Sequence, residues 1–162
     1  KSARHIGYNE VFFENLPDNR FDSVDLLNVI KIIDIYIKKI NPRIVYTHHY
    51  GDLNIDHRVT FNAVLTATRP INSCVKELLL FETLSSTEWN FQYGDNTFKP
   101  NVFIDISTNF QKKIDAMKEY KSELCDSPHP RSLDIIESSA KKYGSIITVK
   151  YAEAFELMRK ID

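Results

Sequence analysis

Several residue types are scarce in this sequence of 162 residues, which holds 2 cysteines, 4 glycines, 6 prolines and 1 tryptophan. Two thiols, Cys74 and Cys125, make neither a disulfide framework nor a four-thiolate zinc site, and they fit a reducing, cytoplasmic setting. So few glycines and prolines exclude collagen-like repeats and linker-rich designs. Neither sign of charge is in excess, since 21 Lys and Arg stand against 22 Asp and Glu for a net charge of −1. Without a global basic field, nucleic acid and anionic membranes are poor candidates for partners. No apolar run reaches the roughly 18 residues that a membrane span requires. What remains is an ordinary globular composition, 43% hydrophobic, 12% aromatic and 27% charged. That excludes extensive disorder, and the length fits one domain over residues 1–162.

The hydrophobic pattern alternates between strand-like and helix-like segments. Lys1 to Gly7 reads as the end of a helix with Gly7 as its C-cap. Glu10 to Phe13 is a short run of β character, and Leu16 to Arg20 is a turn by composition. Leu26, Ile30, Ile33, Ile37 and Ile40 recur at steps of three and four. They predict a helix from Ser23 to Ile40, capped by Asp22 or Ser23, ended by Pro42, and packed on a sheet. Arg43 to Thr47 reads as a buried strand, and a helix follows from His57 to about Thr68 with Asp56 as its cap. Further strands are expected within Val75–Leu84 and Asn101–Ile106. A helix capped by Ser107 has the face Phe110, Ile114, Met117, Lys121 and Leu124, and a last helix runs from Ser132 to about Gly144. The tail from Ile146 to Phe155 is a strand or an extended arm. This order specifies an α/β fold, a Rossmann-like layered domain with a mainly parallel sheet flanked by helices. In such sheets ligands bind beyond the carboxyl ends of the strands. The loops Leu16–Asp22 and His48–Asp56 are therefore the places to look.

The second loop is dense in chemistry. His48-His49-Tyr50-Gly51-Asp52-Leu53-Asn54-Ile55-Asp56-His57 holds three of the five histidines, two aspartates and an asparagine. Imidazole and carboxylate are the usual ligands of a catalytic zinc. His48 and His49 are adjacent near a strand end and point to opposite faces, so only one of them faces the crevice easily. A plainer assignment stands beside this one, with Asp56 an N-cap, Asp52 and Asn54 turn residues, and His48 a core histidine.

The stretch Gly51 to Arg58, followed by a helix ending at Thr68-Arg69-Pro70, resembles the LmbE-like, or PIG-L type, N-deacetylases. Leu16 to Ser23, Ser127 to Ser132 and Tyr151 to Phe155 resemble other segments of that family. The resemblance implies a zinc-dependent hydrolase that removes the N-acetyl group from an N-acetylglucosamine-type sugar or glycoconjugate. It makes His57 a zinc ligand and Asp56 a residue that orients neighbouring groups by hydrogen bonding. Many members carry a histidine where this chain has Asn54. An amide can still donate a hydrogen bond to an oxyanion, but it cannot shuttle a proton. The family's Ala-His-Pro-Asp-Asp-Glu segment, which supplies the other zinc ligands and the general base, matches nothing here. The resemblance thus implies that the N-terminal part of the fold lies outside these residues, and that this chain alone is inactive.

His129 sits between two prolines and is expected either to pack under the last helix or to reach over the substrate with Arg131. His49 is a candidate oxyanion or substrate contact. Asp18, Arg20 and Asp22 are candidates for sugar hydroxyls, or else serve in capping and surface pairing. The alternative to an enzyme is a non-catalytic fragment, or a sugar- or nucleotide-binding module of the same fold. A phosphate-binding Gly-rich loop would favour the nucleotide module, and none is present. Self-association into a homo-oligomer is left open by the sequence.

Overall fold

The computed structural model describes residues 1–71, 73–91 and 94–162. The chain divides into two compact units. One holds residues 16–102 and 155–162, and the other holds residues 1–15 and 103–154.

The first of these units contains a β-α-β core. Helix α2 (Leu26–Ile40) is preceded by a separate 3-10 turn at Phe21–Ser23, so it starts three residues later than the pattern predicts. Its N-cap is Asp25, in place of Asp22 or Ser23. At its end Asn41 adopts φ 52° and returns its N–H to Ile37, and Pro42 prevents continuation. On its apolar stripe Ile30, Ile33 and Ile37 are half-buried, while Leu26 and Ile40 at the two ends are exposed. The neighbour of α2 is helix α3 (Ile55–Ala67), and α3 in turn packs on strand β1 (Ile44–His48). The helix expected directly on the sheet thus rests on the crossover helix, which follows β1 and takes the place nearest that strand.

Strand β2 (Glu77–Phe81) pairs with β1 in parallel, with Ile44 opposite Glu77 and His48 opposite Phe81. Leu78 and Leu80 are fully buried and Leu79 nearly so, because a strand covered on both faces needs no polar alternation. β2 also pairs with strand β4 (Ala152–Lys160), here antiparallel, with Leu80 opposite Glu156. The order of hydrogen-bonded strands is β1-β2-β4-β3, with β3 at Val102–Asp105. The α/β class predicted from the pattern is thus observed, with a mixed sheet flanked by helices. Of the tail from Ile146 to Phe155, expected to be a strand or an extended arm, the last four residues begin the antiparallel strand β4, which continues to Lys160.

The other unit contains α1 (Ser2–Ile6), α4 (Phe110–Lys118) and α5 (Leu133–Ile146). Gly7 caps α1 at φ 89°, as its composition predicts. The Glu10–Phe13 run is not a strand: Val11 and Phe13 are exposed and no neighbouring strand pairs with them among the described residues. β-propensity alone does not make a strand without an edge to join. α4 buries Phe110, Ile114 and Ala116 but stops at Lys118, before a lysine at position 121 would have to lie on the buried stripe. Its N-cap is Asn109, and the Ser107 hydroxyl is instead engaged by Asp105 and the N–H of Tyr151. Tyr143 of α5 forms a small core with Ala152 and Ala154, packed by Phe103, Ile147 and Val149. No helix among the described residues is long and apolar enough to cross a membrane.

Candidate active site at the end of strand β1

β1 delivers His48 and His49 to its carboxyl end, and the chain then folds tightly into α3. Alternation along the strand sends the two rings to different surroundings. His48 stacks on His57, with centroids 4.1 Å apart and planes 15° apart. Burial, reinforced by the neighbouring His57, pushes the His48 pKa down to about 4, while Asp52 opposes the shift. At neutral pH His48 is therefore uncharged.

His49 is fully buried. Its Nδ1 accepts the N–H of Gly51 at 3.0 Å, and its Nε2 lies 3.5 Å from Glu156. Its ring meets Phe98 edge-on and leans on Tyr50. Burial lowers its pKa, with Glu156 and Asp52 pulling the other way. A ring enclosed in this way has no open face for a ligand, so the structure places His49 in packing rather than at an accessible contact.

The turn into α3 is built by side-chain hydrogen bonds. Asn54 is the N-cap, and its Oδ1 accepts the N–H of Asp56 at 2.8 Å. This corrects the expected cap. α3 begins at Ile55, so Asp56 lies within the first turn and its carboxylate is turned elsewhere. It accepts the backbone N–H groups of Asn19 at 2.6 Å and Phe21 at 2.9 Å, which ties the loop after residue 16 to the start of α3. Asn19 also accepts a 3.2 Å bond from Asn54 Nδ2. Asp18, Arg20 and Asp22 are exposed on this tethered loop.

His57 sits one residue further along the first turn. Its Nδ1 lies 3.0 Å from Asp52 Oδ1, and its side chain is 21% exposed. With Nδ1 directed at a carboxylate, Nε2 is the nitrogen available to a ligand. Asp52 is completely buried. It accepts hydrogen bonds from the Asn54 N–H at 2.8 Å, the Thr87 hydroxyl at 2.9 Å and the Ser86 hydroxyl. Burial raises its pKa, but the contacts with His57, Ser86 and the Asn54 N–H outweigh this and leave it below the usual value. Composition marks Asp52 as a turn residue only. Its partners Ser86 and Thr87 follow β2, whose end lies beside that of β1, and the hydroxyl run Ser85-Ser86-Thr87 was the available signal.

His57 fits a metal as one ligand, being a partly exposed imidazole with its second nitrogen facing a carboxylate. Among the described residues no group of three His, Cys, Asp or Glu side chains could hold an ion. His129 and Arg131 belong to the other unit, where the Arg131 N–H bonds His129 Nδ1 at 3.1 Å and the guanidinium pairs with Glu123.

Residues 1–68 match the family described as PIG-L: GlcNAc-PI de-N-acetylase. The fold resembles the conserved protein TT1542 from Thermus thermophilus, with a TM-score of 0.78 and 17% identity, covering 99% of this chain and 71% of that one. It also resembles N,N′-diacetylchitobiose deacetylase from Pyrococcus horikoshii, with a TM-score of 0.71 and 21% identity, covering 98% of this chain and 60% of that one. A third likeness is to GalB, the 4-carboxy-2-hydroxymuconate hydratase from Pseudomonas putida KT2440, at TM-score 0.67 and 16% identity, covering 99% of this chain and 69% of that one. The chain thus spans between 60% and 71% of these three structures. The family match thus covers residues 1–68, and the fold of the chain is similar to those of the three structures.

Proposed function

We propose that this chain carries one wall of the active site of a zinc-dependent N-deacetylase acting on an N-acetylglucosamine-type sugar or glycoconjugate. The observation that carries the reading is His57, which lies on the first turn of α3 with Nδ1 facing Asp52 and Nε2 free to coordinate, inside the segment that matches the family. The deacetylase among the structural neighbours supports the same reaction. A bound zinc supplies Lewis acidity, polarising the acetamide carbonyl and acidifying water. Among the described residues, His57 is the ligand that this reading assigns.

The remaining residues bind and orient. Asn54 is fixed by its capping bond, so its amide nitrogen is aimed. One of its N–H groups goes to Asn19 and the second is left to donate to a developing oxyanion. Asp56 holds the loop that presents Asp18, Arg20 and Asp22, which offer donors and acceptors to sugar hydroxyls.

The full-length protein, supplied with zinc and a panel of N-acetyl sugars and sugar nucleotides, should release acetate, and a chelator should abolish that release. Absence of acetate across the panel would overturn the reading. Zinc-dependent addition of water to an unsaturated acid, or sugar binding without turnover, would each replace it.

A further inference from the structure

The most heavily committed polar group of the β1 end is not the histidine but the carboxylate beneath it. Asp52 has no exposed surface, and a buried carboxylate costs several kcal/mol unless donors surround it. Its donors come from two places. Asn54 and His57 follow it on the turn into α3, and Ser86 and Thr87 approach from the segment after β2. Thr87 Oγ1 accepts the N–H of Thr83 at 2.7 Å, which leaves its single proton to point at Asp52. The Ser86 hydroxyl and the Asn54 N–H meet Oδ1, which also lies 3.0 Å from His57 Nδ1, and the Thr87 hydroxyl meets Oδ2. His48, stacked on the face of the His57 ring, limits its tilt.

We propose that Asp52 is a positioning residue, held by Ser86 and Thr87, which fixes the Nδ1–H tautomer and the orientation of His57 so that Nε2 presents its lone pair to the metal. The proposal rests on the reading of His57 given above. A ligand ring held in advance loses less freedom on binding, and a carboxylate behind it raises its basicity. The device also couples two strand ends, since the hydroxyls that hold Asp52 follow β2 while the ring follows β1.

Asp52→Ala removes the carboxylate oxygen that faces His57 Nδ1. In the metal-free, full-length protein, 15N NMR should find His57 as the Nδ1–H tautomer in the wild type and shifted to Nε2–H in this variant. Zinc affinity, measured by competition with a chelator, should fall about 10- to 100-fold. Ser86→Ala and Thr87→Val, which leave the carboxylate in place, should weaken zinc by smaller factors and serve if the Ala variant does not fold. An unchanged tautomer with affinity within twofold of wild type in folded variants would overturn the proposal. If the wild type binds no zinc yet Asp52 still sets the tautomer, the deacetylase reading fails and the positioning role stands.

Discussion

In the full-length protein, His57→Ala is expected to lose its zinc on dialysis and to lower kcat/KM by more than the roughly 10- to 100-fold typical of disturbing an outer-shell partner. Removing a ligand removes the coordination bond itself, whereas removing a supporting group only loosens it. The protein should remain folded. The His57 side chain is partly exposed, and its loss leaves Asp52 with the Asn54 amide and the two hydroxyls as donors. That is a loss of one buried interaction, on the order of 1–3 kcal/mol. Zinc content by elemental analysis and circular dichroism of the same sample check both halves. A variant that keeps stoichiometric zinc would contradict the ligand assignment.

Gly51→Ala is expected to be among the most damaging single-methyl additions in the chain. A Cβ placed there would lie 2.1 Å from the carbonyl oxygen of Asn96 and 2.9 Å from His49 Cε1. The first obstacle is backbone and cannot swing aside as a side chain would. The neighbourhood is pinned from several directions, because Asn90 donates to the Gly51 carbonyl at 2.8 Å and Tyr50 donates to the Asp95 carbonyl at 2.9 Å. Overpacking of this kind costs about 3 kcal/mol or more. In a protein of this size that corresponds to a fall in Tm of about 6–12 °C. Thermal unfolding of the two proteins decides the matter, and an unchanged Tm would show that the close approach at Gly51 is absent in solution.

The parts of this structure written in local pattern were legible in the sequence. The isoleucine spacing of α2, its stop at Pro42, the cap at Gly7 and the buried leucines of β2 each follow from residues within one or two turns of each other. The concentration of histidine and carboxylate between positions 48 and 57 was legible for the same reason. Which of two aspartates faces His57 was not. Asp52 and Asp56 lie on either side of the start of α3, and the decision lies in where that helix begins, which Asn54 sets by capping. Glu156 was hidden as well, and Ser86 showed only as part of a hydroxyl run, because both reach the loop from segments far along the chain. The Glu10–Phe13 run failed in the opposite sense, since its residues favour a strand but its backbone is not in one.

The central claim is that His57 Nε2 holds a zinc ion while Nδ1 stays on Asp52. Crystals of the full-length protein grown with zinc, measured on both sides of the zinc absorption edge, test it directly. The account predicts an anomalous peak about 2.0–2.1 Å from His57 Nε2. A zinc peak elsewhere in the protein, with His57 Nε2 bonded to a protein group or facing solvent, would contradict it.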